Sequence, residues 1–272
     1  MNDGDPKYLE ALKSVQELNA LYKDSPRPEA FTALILGESG SGKSFLIRTA
    51  RKPVHVDIFD PGGTINLDDL IRKGEIVADI RWMGEDPRNP HVFKEWEKVS
   101  KERLRSGYFN YFGTYVLDSS TTWANTIMNQ QMKEAGLAGE APRFTHDYVP
   151  QKVKIQNWIN TFMTLPCDFF LTGHLEGLKD EVTGRMSYRY MVTGKAQVTI
   201  PLLFDEIYVM DPKGTASGVE YRILTQSTGT HLARSRLAKK GLLKTYEEPD
   251  LKKILAKCGR STADKPLFTT TI

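Results

Sequence analysis

The fold is decided by the stretch Gly37-Glu38-Ser39-Gly40-Ser41-Gly42-Lys43-Ser44, which fits the phosphate-binding pattern G-x-x-x-x-G-K-[ST]. The apolar run 31–36 precedes it and predicts a buried strand, and residues 45–50 suit the first turns of a helix. Strand, glycine loop and helix in this order aim backbone N–H groups and a positive helix end at phosphates. We therefore expect residues Gly37 to Phe45 to bind a nucleoside triphosphate, with Lys43 at the β- and γ-phosphates and the Ser44 hydroxyl on Mg²⁺.

The composition predicts a soluble, globular chain. Of its 272 residues, 40% are hydrophobic and 26% are charged, which are fractions typical of a protein with a packed core. The net charge of +3 is too small to demonstrate a nucleic-acid partner, so any basic surface must be local. Cys167 and Cys258 are the only cysteines and form no disulfide or zinc pattern, which favours a reducing compartment. Since we find no signal peptide and no membrane-spanning apolar run, we expect no membrane partner and a cytoplasmic location, in a host cell if the protein is viral.

A second acidic segment predicts the other half of the nucleotide site. Residues 114–118 form an apolar run that ends in Asp118. Ligands of open parallel sheets bind at the carboxyl ends of the strands, where an aspartate can hold Mg²⁺ through water. We therefore expect Asp118 to share Mg²⁺ with Ser44.

A further strand is predicted over residues 53–59, and it runs into the turn Asp60-Pro61-Gly62-Gly63-Thr64. Its position at the same sheet edge makes Asp57 and Asp60 candidates for orienting the attacking water or for the Mg²⁺ shell. Asp60 is equally well explained as a turn residue or as the cap of the next helix.

The predicted strand 167–172 ends at Gly173-His174, again on the ligand edge. His174 could sense the γ-phosphate and move the next loop, or it could simply bond a backbone carbonyl. That loop, residues 176–190, mixes basic residues and tyrosines, which can stack on bases and pair with phosphates. It could also be a plain β-hairpin around Thr183-Gly184.

The remaining periodic segments predict further helices and strands. An amphipathic helix over residues 7–23 could pack on its own core or on a neighbouring subunit. Helices are expected at 66–72, 90–106, 122–135, 149–165 and 249–257, and strands at 76–82, 203–210 and 218–226. The basic cluster 228–240 is explained by a solvated surface or by a nucleic-acid patch.

The order of these pieces resembles the RecA-like recombinase core, on the strength of the phosphate loop, Val116-Leu117-Asp118-Ser119-Ser120 and Thr172-Gly173-His174. It is similar in particular to the short phage-encoded RecA-like ATPases, some of which belong to the Sak-type single-strand-annealing recombination group. The resemblance covers residues 30–240. It implies an α/β fold, a RecA-like P-loop NTPase with a mostly parallel central sheet flanked by helices and antiparallel strands at the C-terminal edge. The expected organisation is an N-terminal helix and linker (1–29), an ATPase core (30–246), and a C-terminal helix with a flexible tail (247–272).

The resemblance also assigns residues. It implies that segments 136–148 and 175–190 are DNA-binding loops and that His174 links ATP to DNA binding. The candidate DNA contacts are Arg143, Phe144, Lys179, Arg185, Tyr188 and Arg189. Arg234 and Arg236 resemble the paired basic fingers that RecA-like ring ATPases insert into a neighbour's active site, where they stabilise charge on the transferring phosphoryl group.

One position departs from the family pattern. The family places a water-activating glutamate just before the glycine pair of the second strand's turn, and here Pro61 stands there with Asp60 beside it. Either Asp60 substitutes, or hydrolysis is slow and ATP acts mostly as an assembly switch.

The function implied by the resemblance is an ATP- and Mg²⁺-dependent ATPase that binds single-stranded DNA and supports phage homologous recombination by annealing or strand exchange. It would self-associate into a ring or filament, and a single-strand DNA-binding protein is a further candidate partner. Two alternatives remain open, namely a ring-forming DNA motor of the helicase or packaging type and a nucleotide-gated loading module that scarcely hydrolyses ATP. We find no guanine-reading motif in the sequence.

Overall fold

Strands alternate with helices along most of the chain. The computed structural model describes residues 6–24, 30–143, 146–192, 194–238 and 241–268. The helices of this part are α1 (Pro6–Asp24), α2 (Lys43–Ile47), α3 (Asp68–Arg72), α4 (Val92–Arg105), α5 (Ser120–Glu134), α6 (Tyr148–Phe162), α7 (Ala196–Leu203) and α8 (Leu251–Lys257). The strands are β1 (Thr32–Gly37), β2 (Val54–Ile58), β3 (Ile76–Asp79), β4 (Thr114–Asp118), β5 (Asp168–Lys179), β6 (Met186–Tyr190), β7 (Glu206–Met210), β8 (Lys213–Thr215), β9 (Gly218–Glu220), β10 (Ile223–Leu224), β11 (Arg234–Ser235) and β12 (Tyr246–Glu247).

One large sheet organises the molecule, in the order β12-β10-β7-β1-β5-β4-β2-β3. The strands from β7 to β3 are parallel to their neighbours, whereas β10, β11 and β12 pair antiparallel at the β7 end. The predicted fold class, a mostly parallel sheet flanked by helices with antiparallel strands at the C-terminal edge, is confirmed.

Both faces of this sheet are buried, which explains the uninterrupted apolar run of β1. Leu34 and Leu36 face a core rich in aromatic rings, together with side chains of α4, α5, α6 and α7. Ala33 and Ile35 face a mainly aliphatic core against α2, α3 and α8. Parallel strands covered on both faces have no polar alternation, as observed here.

Local sequence predicts some elements less well. The helix after the phosphate loop is short, since α2 ends at Ile47 and i→i+3 bonds of 3.0–3.1 Å continue it to Ala50. The segment 196–203 contains β-branched residues and Pro201, yet it forms the helix α7 because its apolar side chains pack into the core.

The hairpin interpretation of segment 176–190 is confirmed. β5 extends beyond the sheet and pairs antiparallel with β6. Asp180 accepts backbone N–H bonds from Val182 and Thr183 at 2.9 and 2.8 Å, and Gly184 takes a φ of 69°, which closes the turn.

The C-terminal segment differs from the flexible tail that was expected. The Lys265 backbone N–H donates to the carbonyl of Lys52 over 2.8 Å, and its ammonium donates to the carbonyl of Asn110 over 2.8 Å. The Phe268 ring lies 5.0 Å from that of Phe112. Residues 264–268 are therefore anchored on the core by contacts that the sequence did not predict.

Along its described side chains, helix α1 does not pack on the core. The side chains described for it, from residue 6 to residue 21, are all exposed, including Leu18 and Leu21. Of the two interpretations of this amphipathic helix, packing on its own core is therefore wrong. We also find no described helix that is long and apolar enough to cross a membrane.

Candidate nucleotide-binding site

The carboxyl ends of β1, β4 and β2 lie beside the middle of β5, and the predicted site residues lie there or directly after. His174 pairs with Gly37 in the β1–β5 register, which places His174 beside the phosphate loop. The loop, Asp60, Asp118 and His174 line one pocket of about 460 Å³, a volume typical of small-molecule sites. Its lining residues are Ser39, Gly40, Ser41, Gly42, Lys43, Ser44, Phe45, Asp60, Pro61, Gly62, Gly63, Asn66, Asp118, His174, Met210, Tyr221 and Pro249.

Lys43 is buried at the centre of this pocket. Its ammonium donates to the carbonyl oxygens of Gly37 and Glu38, each over 2.8 Å. Burial lowers the pKa of Lys43, although the nearby carboxylates of Asp118 and Asp60 favour its charged form. The loop thus holds a cation ready to contact an anionic ligand.

Ser44 and Asp118 form an oxygen donor set at the pocket wall. The Ser44 hydroxyl donates to Asp118 Oδ2 over 3.2 Å. Burial raises the pKa of Asp118, the Thr172 hydroxyl that donates to it lowers that pKa, and the charge of Asp60 raises it again. Hydroxyl and carboxylate oxygens are ligands that Mg²⁺ prefers. A cation here would also offset the repulsion between the carboxylates of Asp118 and Asp60. Ser44 and Asp118 therefore fit Mg²⁺.

The phosphate loop leaves one polar group without a partner. The Ser41 hydroxyl is buried and has no hydrogen bond within the described structure. A Cβ at Gly37 would lie 2.3 Å from this hydroxyl, so only glycine lets the loop close as it does. An unsatisfied buried hydroxyl among loop N–H groups suits a phosphate oxygen.

Asp60 is paired with His174. The His174 Nε2 atom lies 3.0 Å from Asp60 Oδ2, and its Nδ1 atom lies 3.5 Å from the Lys43 ammonium. Burial alone would raise the pKa of Asp60, but the bonds from His174, Thr122 and Ser119 lower it overall. An ionised Asp60 only accepts, so Nε2 carries the proton and Nδ1 offers a lone pair toward the pocket when His174 is neutral.

The hydroxyl groups that hold the two aspartates were missed by sequence reasoning. Ser119 donates to Asp60 Oδ1 over 2.9 Å, Thr122 donates to the same oxygen, and Thr172 donates to Asp118 Oδ1. The cluster of Ser and Thr after β4 is visible in the sequence, but the carboxylate that Ser119 and Thr122 contact follows β2, and the Thr172 that contacts Asp118 lies on β5.

Asp57 does not reach the pocket, and the expectation that it orients water or binds Mg²⁺ is wrong. Its carboxylate is fully buried in the aromatic core beneath the sheet edge. It accepts bonds of 2.8–3.1 Å from the side chains of five residues, namely His55, Trp82, Trp96, Arg103 and Tyr115. Although His55, Asp57 and Asp79 bring possible metal-ligand atoms within 4.8 Å, these donors already satisfy Asp57.

Neither predicted finger arginine lines the pocket of its own chain. The Arg234 guanidinium donates to the backbone carbonyls of Pro201 and Phe204, at the end of α7. Arg236 forms an exposed pair with Asp205 at 2.7 Å. Of the two, Arg236 has the side chain that is free to rearrange, because exposed ion pairs contribute little.

Two of the arginines predicted to contact DNA have partners within the chain. Arg143 pairs with Asp147 at 3.1 Å, and Phe144 lies outside the described residues. Arg185 donates to the carbonyl of Gly229 over 3.0 Å.

The other three contacts lie on the hairpin. Lys179 is exposed at the end of β5. The Tyr188 ring stacks on that of His231, with centroids 4.4 Å apart. Arg189 pairs with Glu176 at 3.3 Å.

Three apolar or aromatic residues of the C-terminal half also line the pocket and were not predicted. They are Met210 at the end of β7, Tyr221 between β9 and β10, and Pro249 before α8. Nothing in their local sequence indicates a ligand, because only the position of β7 next to β1 brings them to the phosphate loop.

The chain matches one family model and resembles solved structures at low identity. Residues 29–237 match a model described as an AAA domain. A KaiC-like protein from the hyperthermophilic archaeon Pyrococcus horikoshii OT3 is 11% identical, with a TM-score of 0.40 over 75% of this chain and 81% of that one. An ATPase from the type III secretion system of pathogenic bacteria is 14% identical, with a TM-score of 0.44 over 66% of this chain and 51% of that one, so the match spans about half of its length. No curated protein matches.

Proposed function

The chain belongs to the AAA domain family, and from that premise we propose that it is a cytoplasmic Mg²⁺-dependent ATPase that binds single-stranded DNA. In a phage setting it would support homologous recombination by annealing or strand exchange, as the Sak-type group does. The observation that carries the proposal is the convergence of Lys43, Ser44, Asp118, Asp60 and His174 in one pocket. The first test is ATP turnover with and without single-stranded DNA. If single-stranded DNA did not change ATP turnover and no DNA binding appeared at low salt, the proposal that the protein acts on DNA would fail.

The phosphates of ATP would be held by the loop of residues 37–44 and by Lys43. The Ser41 hydroxyl would donate to a phosphate oxygen, which would satisfy its unpaired group. Bound Mg²⁺, held by Ser44 and Asp118, would neutralise charge on the phosphates. Ser41, Lys43, Ser44 and Asp118 line one pocket, which supports these proposed roles.

We propose that the Asp60–His174 pair takes the place of the missing glutamate. Ser119 and Thr122 fix the Asp60 carboxylate, and Asp60 in turn orients the imidazole of His174. Asp60 would accept or orient a proton of the attacking water, while Nδ1 of His174 faces the Lys43 ammonium. Such general-base help depends on a group held within hydrogen-bond reach.

We predict that Asp60→Asn lowers single-turnover ATP hydrolysis by roughly 10²- to 10⁴-fold, the range of general acid–base contributions. ATP affinity should change little, because Asp60 does not belong to the phosphate loop. The matched control is Asp69→Asn, which alters an exposed carboxylate paired with Arg48. Hydrolysis by Asp60→Asn at the wild-type rate would exclude Asp60 as the base.

A second candidate is a nucleotide-gated module that loads a partner with little hydrolysis. The lowered pKa of Asp60 supports it, because a carboxylate already bonded by three donors is a weak proton acceptor. This alternative would be established if wild type formed ADP no faster than Asp60→Asn and yet bound DNA only in the presence of ATP.

The β5–β6 hairpin is the proposed DNA-binding surface. In the hairpin register, Lys179 pairs with Met186 and Gly177 pairs with Tyr188, so Lys179, Met186 and Tyr188 share one face. The paired Glu176 and Arg189 lie on the other face. The first face offers a cation and an aromatic ring without an acidic side chain, which suits backbone contact and base stacking.

Hydrogen bonds connect this hairpin to the nucleotide pocket. The Met191 backbone N–H donates to the carbonyl of His174 over 2.8 Å. The Thr121 hydroxyl donates to the carbonyl of Met191 over 3.1 Å and accepts from the His174 backbone N–H over 3.2 Å. A shift of His174 upon γ-phosphate binding would therefore move the base of the hairpin, which supports the proposed sensor role.

We predict that Lys179→Ala and Tyr188→Leu weaken single-stranded DNA binding in different ways. Loss of one phosphate contact at Lys179 should reduce the salt dependence, the slope of log K against log salt, by about 0.7. Loss of stacking at Tyr188 should weaken binding roughly 5- to 100-fold with the slope unchanged. Fluorescence anisotropy of a labelled oligonucleotide at several salt concentrations measures both, with the exposed Lys98→Ala on α4 as control. If both variants bind like wild type, the hairpin is not the DNA surface.

We further propose that the protein self-associates into a ring or filament, with residues 30–246 as the ATPase core. The exposed apolar residues of α1 support this, since no described part of the same chain covers them. Arg234 and Arg236 would enter a neighbouring site, with Arg236 as the better candidate because its present partner is a surface carboxylate. A single-strand DNA-binding protein remains a proposed partner.

A further inference from the structure

The sheet order fixes which way a bound nucleotide must lie. Asp118 ends β4 and Asp60 follows β2, so both of the acids proposed to act near the γ-phosphate lie on one side of β1. The nucleoside therefore leaves the phosphate loop on the other side, where β7 is the neighbour of β1. On that side the pocket is lined by Met210, Tyr221 and Pro249.

Tyr221 lies directly against the phosphate loop. A Cβ at Gly42 would be 3.0 Å from Tyr221 Cδ1 and 3.4 Å from the Met210 methyl group. The Tyr221 side chain remains 46% exposed, so part of its ring is available to a ligand. Its hydroxyl has no hydrogen bond in the described structure, so only packing holds the ring in place.

The neighbouring residue fixes this arrangement. The Arg222 guanidinium donates to Asp211 Oδ2 over 2.8 Å and to its carbonyl over 3.1 Å, and it lies 3.9 Å from the Tyr246 ring centroid. The Asp211 backbone N–H donates back to the carbonyl of Arg222 over 3.0 Å. The segment that carries Tyr221 is thus tied to the end of β7 before a nucleotide binds.

Resting on the function proposed above, we propose that Tyr221 stacks on the base of the bound nucleotide and that the site accepts adenine and guanine alike. Telling the two purines apart requires donors and acceptors, from side chains or from the backbone, aimed at the base edge. Met210 and Pro249 provide none, and stacking accepts any base because each has a π-face. The one lining side-chain amide, Asn66, belongs to the segment after β2, on the side of β1 away from β7.

The test is equilibrium binding of ATP, GTP and inorganic tripolyphosphate to the full chain with Mg²⁺. We expect wild type to bind ATP and GTP within about threefold of each other, since stacking is base-tolerant. Tyr221→Ala should weaken both nucleotides roughly 5- to 100-fold and leave tripolyphosphate affinity unchanged, whereas Tyr221→Trp should retain nucleotide affinity. Tyr111→Ala is the matched control, because Tyr111 is 64% exposed and precedes the amino end of β4, whereas the pocket lies at the carboxyl end of that strand.

Three results would overturn the inference. An equal loss of tripolyphosphate affinity in Tyr221→Ala would mean that the ring only supports the phosphate loop. A wild-type preference between ATP and GTP above roughly 30-fold would reveal a base-reading group. If wild type bound neither the nucleotides nor tripolyphosphate, the proposed nucleotide-dependent function would itself fail and this subsite with it, an outcome distinct from the other two.

Discussion

A Lys43→Ala protein is expected to hydrolyse ATP at least roughly 100-fold more slowly than wild type, the loss typical of removing one donor to a developing transition-state charge. Among the described residues that line the pocket, Lys43 is the only lysine or arginine. Its ammonium is already fixed 2.8 Å from the carbonyls of Gly37 and Glu38, so little reorganisation precedes phosphate contact. ATP affinity should fall as well, since the same charge contacts the bound phosphates.

Single-turnover hydrolysis with protein in excess, together with direct ATP binding, measures both effects. Lys98→Ala on the exposed face of α4 is the control for loss of a positive charge. Wild-type hydrolysis by Lys43→Ala would contradict the assignment of this pocket as the active site.

The same variant tests the proposed finger. Arg236→Ala should bind ATP like wild type and lose turnover. Mixing it with Lys43→Ala should then restore activity above that of either variant, because some sites would combine an intact pocket with an intact Arg236 from the neighbour. Failure of every such mixture to restore turnover would count against action in trans.

The parts of the fold that the sequence predicts are those encoded locally. β1, β2 and β4 begin and end within one residue or so of their predicted bounds, because each is an apolar run bounded by turn residues. The phosphate loop is equally local, since its glycines, lysine and serine are adjacent in the chain. The carboxyl-edge rule then places Asp60, Asp118 and His174 together without knowledge of the strand order.

Contacts between distant segments decide the rest. The insertion of β5 between β1 and β4 is set by pairing across more than 50 residues, and it is what puts His174 next to Lys43. α7 is helical against its local propensity, and Tyr221 reaches the pocket only because β7 lies beside β1. Asp57 was wrongly predicted to line the nucleotide site. Side chains alternate between the two faces of β2, and the sequence does not tell that the Asp57 side chain turns into the aromatic core.

Asp57 instead supports the strand that carries Asp60, and Asp57→Asn is expected to destabilise the protein by about 3–5 kcal/mol, as breaking a buried ion pair does. Its charge balances Arg103, whose guanidinium lies 3.0 Å from Oδ1 and also contacts Asp79. An asparagine would put an NH₂ group where one carboxylate oxygen now accepts. The N–H or O–H groups that donate to that oxygen would then lack an acceptor.

The pH dependence follows from the same contacts. Burial alone would raise the pKa of Asp57, but the hydrogen bond and charge of His55 and the charge of Arg103 hold it well below its usual value. Stability from such a group is fully present above the unfolded carboxyl pKa of about 3.9 and is lost as the pH falls through the lower folded pKa. The difference in unfolding free energy between wild type and Asp57→Asn should therefore narrow as the pH falls below about 4.

Urea denaturation at several pH values measures this difference, with Asp69→Asn as the control. Asp69 is half exposed in its pair with Arg48, so its loss should change the free energy of unfolding little. ATP hydrolysis, measured where both proteins are folded, separates the structural role of Asp57 from a catalytic one. A variant as stable as wild type that had lost hydrolysis would return Asp57 to the active site, whereas loss of stability with hydrolysis retained places it beneath the site as a support for β2.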